Sequence, residues 1–189
     1  MGDTLNQKIL AYARGKKGKP SGNGECWTLA HEALSESGAL SSAALGPMGK
    51  DADYVWGDLV ADLKDVQPGD IMQFRDFQIT TTTTTKRTFP DGAFDEKSPS
   101  SVASRGHHTA IVAESKGNGI FLIFEQHVKP LGKKVQLHEI RTKNSSVTNK
   151  VEFRKEINPY TKKVQEAKVE VTVDIEVTGT IYAYRPKLK

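Results

Sequence analysis

Gly22-Asn23-Gly24-Glu25-Cys26-Trp27-Thr28-Leu29-Ala30-His31-Glu32-Ala33-Leu34 is the stretch whose reading decides the fold. Its first half is a Gly-rich loop, and its second half sets Leu29, Ala30, Ala33 and Leu34 on one face of a helix predicted to stop near Gly38. Cys26 therefore falls at or near a helix amino terminus. Unpaired backbone N–H groups and the macrodipole favour negative charge there, and lower a thiol pKa from its free value of about 8.5. The same N–H groups suit an oxyanion. Cys26 is the single cysteine of the chain, which excludes an internal disulfide framework and a thiolate-rich zinc site. It serves either packing or chemistry.

Outward from this stretch the pattern continues. Upstream, Leu5, Ile9, Leu10 and Ala13 predict a short amphipathic helix over residues 4–14, ended by the basic Gly/Lys/Pro stretch 15–21. Downstream, a loop over 41–51 leads to Tyr54-Val55-Trp56, and Gln67-Pro68-Gly69-Asp70 is a turn before a strand opening with Ile71, Met72 and Phe74. The threonine run at 80–85 extends a second β-branched strand, with an exposed low-complexity linker as the alternative. Residues 86–106, rich in Pro, Ser and Gly, read as a loop or flexible insertion. Two apolar strands, 108–113 and 120–127, joined at Lys116-Gly117-Asn118-Gly119, predict a hairpin. Residues 129–168 read as basic and irregular, whereas 169–177 alternates apolar and polar like a half-buried antiparallel strand, and Ile181-Tyr182-Ala183-Tyr184 closes the domain. Helices first and strands after predict an α+β fold, amino-terminal helices packed on an antiparallel β-sheet.

Size and composition agree with one domain. The 189 residues, 37% hydrophobic and 26% charged, are enough to bury a real core. No run approaches the roughly 18 apolar residues of a membrane-spanning helix. The Met1-Gly2-Asp3 start carries no basic-then-apolar signal segment, so the expected site of action is cytoplasmic, or secreted and cell-wall-directed if a leader was trimmed. The net charge of +4 permits an anionic partner without demanding one. Most of that excess is local, with eleven Lys/Arg against four Glu in residues 129–168. An anionic polymer on this segment is one expectation; ordinary solvated surface is the simpler one. A nucleic-acid partner is disfavoured, because no aromatic and basic residues interleave there.

A nucleophilic thiol needs a base within hydrogen-bond reach, and the base needs a third polar group to orient it. Of five histidines, His31 lies five residues along the cysteine's own helix and His138 in the basic segment. His107 and His108 open one hairpin strand, and Glu125 and His127 end the other on a shared face. A helix-borne thiol facing a sheet that carries histidine and a carboxylate is a papain-like layout. His107 and His108 adjoin and point to opposite strand faces, so no metal site is expected, and no cofactor is required.

In order along the chain, Gly24-Glu25-Cys26-Trp27, Gln67-Pro68-Gly69-Asp70-Ile71-Met72-Gln73-Phe74, Gly106-His107-His108-Thr109-Ala110-Ile111-Val112, Phe124-Glu125-Gln126-His127 and Gly179-Thr180-Ile181-Tyr182-Ala183-Tyr184-Arg185-Pro186 resemble a CHAP domain. These are cysteine, histidine-dependent amidohydrolase/peptidases, relatives of the NlpC-type peptidases in the papain-like superfamily. The resemblance implies a single domain over 1–189 with insertions at about 79–105 and 129–168, acting on amide bonds of peptide or peptidoglycan-like substrates. It implies Cys26 as nucleophile, His108 as base and Glu125 as third residue, with His127 the auxiliary or alternative third residue. Three departures stand out: Glu25 where the family has Gln, His127 where an Asn often follows, and the two long insertions. A carboxylate at Glu25 opposes thiolate formation unless it points away.

Each assignment has a plainer rival. Cys26 suits a core, Trp27, Trp56, Phe121 and Phe124 suit core or cleft wall, and Asp70 suits a turn. Acyl transfer through the same thioester is the rival reaction, and a retired cleft that only binds peptide or glycan is the rival function.

Overall fold

The computed structural model describes residues 2–49 and 51–189, which form two compact units. Unit 1 contains the chain up to Phe77, Arg105–Thr142 and Gly179–Lys189, and unit 2 contains Gln78–Ser104 and Lys143–Thr178.

Unit 1 opens with helix α1, Leu5–Lys16, whose start is fixed by a reciprocal capping box between Thr4 and Gln7. Helix α2, Cys26–Ser37, begins at the nucleophile candidate and ends at Gly38, whose φ of 77° closes the helix in the left-handed region that glycine tolerates. A four-residue helix α3, Ser42–Leu45, and a 3₁₀ turn, Leu63–Asp65, fill the following loops. Ile9, Leu10 and Ala13 of α1 and Leu29, Ala30, Ala33 and Leu34 of α2 are buried against Trp56, Ile71, Ile111 and Phe124. This apolar interface is the core that orients α2. Each large side chain in it contributes about 1.5–3 kcal/mol.

The strands are β1 (Asp58–Leu59), β2 (Ile71–Thr88), β3 (Phe94–Lys97), β4 (Ser100–Gly117), β5 (Ile120–Glu125), β6 (Gln136–Arg141), β7 (Ser145–Ile157) and β8 (Val164–Arg185). Their order is β1-β8-β2-β4-β5-β6, with β3 beside β2 and β7 beside β8. The β4–β5 hairpin turns at Gly117-Asn118-Gly119 as expected, and pairs Ile111 with Phe124 and Val112 with Ile123. Asp70 does more than cap its turn. Its buried carboxylate accepts from the Gln67 backbone N–H, from Asn6 of α1 and from the Arg185 guanidinium, tying the first helix to the end of β8.

Two expectations are corrected here. Residues 86–106 are not a loop: β2 runs to Thr88, β3 pairs Thr85–Thr88 antiparallel, and β4 starts at Ser100. Short Pro/Gly turns separate these strands, and the Pro and Ser content of the turns masks the strands in the sequence. Residues 129–168 are not irregular either, because they contain β6, all of β7 and the start of β8. On these strands charged and apolar residues share faces, Leu137 with Glu139 and Arg141 on β6 and Val151 and Phe153 with Lys155 on β7, which hides a period of two. Much of the positive charge there is paired, Arg154 with Glu152 and Glu156, Lys150 with Glu152, and Lys168 with Glu170. No helix among the described residues is long and apolar enough to cross a membrane.

Candidate active site

The loop ahead of Cys26 is held from below by a side chain that no local sequence signal marks. Gln126, fully buried, accepts from the Ser21 backbone N–H at 2.9 Å and donates through Nε2 to the carbonyls of Ser21 at 2.9 Å and Glu25 at 2.7 Å. Gly22 completes the loop at φ 56°, where a Cβ would sit 2.7 Å from Glu32 Oε1. With its backbone fixed on both sides, the first residue of α2 has little freedom.

Cys26 is partly buried, and its Sγ lies 4.0 Å from the His107 carbonyl oxygen. Burial alone would raise its thiol. A hydrogen bond with His108, the His108 charge and the backbone of Thr109 and Trp27 outweigh burial, so the net shift is downward. Trp27 belongs to the first turn of α2, the environment expected of a helix amino terminus. The His108 shift is the mirror image: burial would lower the imidazolium, but Cys26 and Glu125 raise it. The two shifts together favour a thiolate–imidazolium pair.

Glu125, at the end of β5, is fully buried and surrounded by donors. His108 Nε2 approaches Oε2 at 2.9 Å, at an angle poor for a hydrogen bond but close enough for charge to act. Arg105 grips the carboxylate with a two-pronged fork, Nε to Oε2 at 2.7 Å and a terminal nitrogen to Oε1 at 2.6 Å. His138 Nδ1 meets Oε1 at 2.6 Å. Burial opposes ionisation of Glu125, yet the close contact with His108 and its charge, with the bonds from His138 and Arg105, hold the carboxyl far below the ordinary carboxylate range.

The structure thus brings together Cys26, His108 and Glu125, and adds Arg105 and His138. The sequence offers no signal for His138, because its strand reads as irregular. In the observed register it pairs with Ile123, which makes it the diagonal neighbour of Glu125. Arg105 and His108 are three residues apart, a spacing that in a regular strand faces opposite ways, so nothing in the sequence joins them.

His127 is not brought to His108. The strand ends at Glu125, and His127 takes φ 66°, turning its half-exposed ring to Glu25 at 2.8 Å. The expectation that Glu125 and His127 share a strand face fails for this reason. Glu25 is also paired with Lys133 at 3.2 Å, so its charge is engaged by two groups away from the thiol. His107 points away from His108, as expected, with its ring against Tyr54 and 3.8 Å from Asp53. Tyr54 is close enough to the thiol for burial, together with the charge on Cys26, to raise its phenol. Cavity size does not mark the site: a cavity of about 440 Å³ lies in unit 2 and is lined by Thr80, Thr82, Ser145, Ser146, Asp174 and Glu176, with no cysteine or histidine among them. No cluster of His, Cys, Asp or Glu among the described residues could hold a metal ion.

Gln126→Ala strips the Ser21 backbone N–H of its partner and removes one of several donors to the Ser21 and Glu25 carbonyls, which keep Thr28. It should cost about 2–3 kcal/mol of stability and slow thiol reactivity several-fold, read by chemical denaturation and by alkylation rates on the same samples. Unchanged alkylation would show that the loop holds Cys26 without Gln126.

The model of one family, the AIM3/BBC1 cysteine proteinase-fold domain, matches residues 1–186. No curated protein and no solved structure matches the chain. The antiparallel sheet with its few helices is consistent with a papain-like fold, although the matching family is not the CHAP family that the motifs resemble. With all but its last three residues matched, the chain belongs to the AIM3/BBC1 cysteine proteinase-fold domain family.

Proposed function

We propose that the domain is a thiol-dependent amide hydrolase with Cys26 as nucleophile, His108 as acid and base, and Glu125 as the residue that orients His108. The observation that carries this reading is the placement of Cys26 at the first position of α2, its Sγ against the strand on which His108 lies 2.9 Å from the buried Glu125; the contact between Cys26 and His108, which lowers the thiol and raises the imidazolium, supports it. In the reaction the Cys26 thiolate attacks the amide carbonyl carbon, and the carbonyl electron pair moves onto oxygen. As the tetrahedral adduct collapses, the C–N bond breaks and the His108 imidazolium gives its proton to the leaving amine. A thioester remains. Neutral His108 then takes a proton from water, hydroxide adds to the thioester carbonyl, and the C–S bond breaks to release the carboxylic acid and the thiolate. Glu125 holds the ring and balances its charge throughout. Peptide amides are the substrate class to assay, including the cell-wall peptides that the CHAP resemblance implies.

Iodoacetamide tests the central element without a known substrate. At pH 6.5 Cys26 should alkylate at least about tenfold faster than free cysteine, whose thiol is almost wholly protonated there. His108→Ala should remove the advantage. A rate equal to that of free cysteine would sink the proposal. One observation favours a retired cleft that only binds: the Arg105 fork occupies both Glu125 oxygens and shares the charge meant for His108. Such a cleft predicts peptide binding with no alkylation advantage.

A further inference from the structure

Strand β7 is open along one side. It pairs antiparallel with β8 from Ser145 to Ile157, and among the described residues no strand lies on its other edge. Long unprotected edges offer a row of free N–H and C=O groups, and proteins ordinarily blunt or cover them. One face of the edge also carries exposed apolar residues, Val151 53%, Phe153 67% and Ile157 64% exposed, with Lys155 among them. On the other face Lys150, Glu152, Arg154 and Glu156 alternate in sign. A bulge between Thr148 and Lys150 ends the regular stretch, leaving 150–156 as a straight edge.

That alternation selects a partner. When two copies of one strand pair antiparallel about a two-fold axis normal to the sheet, one residue faces its own copy and the others pair symmetrically around it. With Phe153 on the axis, Lys150 faces Glu156 and Glu152 faces Arg154, so all four charges meet opposite charges twice over. With Glu152 on the axis, Lys150 would face Arg154 and Glu152 its own copy. With Arg154 on the axis, Glu152 would face Glu156 and Arg154 its own copy. Centring on Lys155 sets that lysine against itself, and centring on Val151 runs through the bulge. One register matches every charge on the alternating face with its opposite, and it sets Lys155 across from Val151. In it the two exposed Phe153 rings also cover each other on the opposite face. Within one chain the same charges already form a ladder, Lys150 to Glu152, Glu152 to Arg154 and Arg154 to Glu156. The pairing would extend that ladder into a network, the form in which surface ion pairs contribute most.

We infer that β7 is a homodimerisation edge, pairing antiparallel with β7 of a second copy around Phe153. Sedimentation velocity of the chain from about 1 to 100 µM in low salt should show the 20.8 kDa species giving way to one of twice that mass, and added salt should shift it back. Arg154→Glu and Glu152→Arg should each raise the dimer dissociation constant about tenfold or more, since each sets two like-charged pairs face to face. Mixing the two variants should restore a dimer, because one chain then carries only acidic groups at positions 152 and 154 and the other only basic ones. A misfolded variant would not be rescued by mixing. Phe153→Cys in a Cys26→Ala background should form an intermolecular disulfide under mild oxidation, and Val151→Cys should not. A monomer at every concentration, a dimer indifferent to Arg154→Glu, cross-linking at residue 151 in place of 153, or association only with a strand of another protein would each overturn the inference.

Discussion

Cys26→Ala and His108→Ala should each lower amide-hydrolysing turnover by about 10⁴-fold or more, and the double variant should be little worse than either alone. Nucleophile and base act as a unit, so removing one leaves the other nothing to do, and their losses do not add. Cys26→Ala should fold with little change, because it removes one partly buried sulfur atom and leaves the core between α1 and α2 intact. It should also move the His108 titration, which makes the two roles separable by NMR. The raised imidazolium depends on Cys26 as well as on Glu125, and burial opposes it. Without the sulfur its pKa should fall. Because the folded His108 pKa lies above its unfolded value, the stability it contributes is fully present below about pH 6.5 and is lost as pH rises through the folded value. Cys26→Ala should bring that loss to lower pH. His107→Ala, on the opposite strand face, should retain most activity. Full turnover in Cys26→Ala, or greater damage from His107→Ala than from His108→Ala, would remove the basis of the proposed mechanism.

The parts of this site written in local pattern are legible in the amino-acid order. Helix α2 announces itself through the Leu29, Ala30, Ala33, Leu34 spacing and the Gly38 stop, and that places Cys26 at its first position. The Gly-Asn-Gly turn sets β4 against β5 and so brings the His108 strand beside the Glu125 strand. What is not legible depends on where strands end and how they register. Two residues past the end of β5, the backbone changes hand at His127 and sends its ring to Glu25, where continued alternation would have sent it to His108. His138 enters through the β5–β6 register, which no local spacing in a charged segment encodes. Arg105 sits where a loop is expected, and Gln126 owes its importance to backbone groups of Ser21 and Glu25 more than a hundred residues away in the sequence. Long-range hydrogen-bond accounting is a property of the assembled fold. The sequence carries the donors and acceptors without the distances.

Glu125 should be the most costly carboxylate in the chain to remove. Glu125→Ala leaves the Arg105 guanidinium, only 14% exposed, with its two-pronged partner gone, and should destabilise the fold by about 3–5 kcal/mol. Glu125→Gln keeps the volume and one acceptor, so it is the variant for kinetics. An amide cannot match the charge of His108, and its NH₂ group meets the donors of Arg105 and His138. Turnover should fall by about 10²- to 10⁴-fold, and the apparent pKa of His108 should drop because its imidazolium loses the counter-charge. The stability profile gives an independent reading. The folded Glu125 pKa is depressed, so the stability it contributes is present above its unfolded value of about 4.3 and is lost as pH falls toward the much lower folded value. Denaturation midpoints measured from pH 7 to pH 2 should therefore decline less steeply below pH 5 in Glu125→Gln than in the wild-type chain. His127→Gln, whose ring pairs with Glu25 on the surface, should change turnover less than about threefold. If His127→Gln is instead the more damaging change, and Glu125→Gln alters neither the acid limb nor the His108 titration, then His127 orients the base during turnover and Glu125 serves only to hold Arg105 and His138 in place.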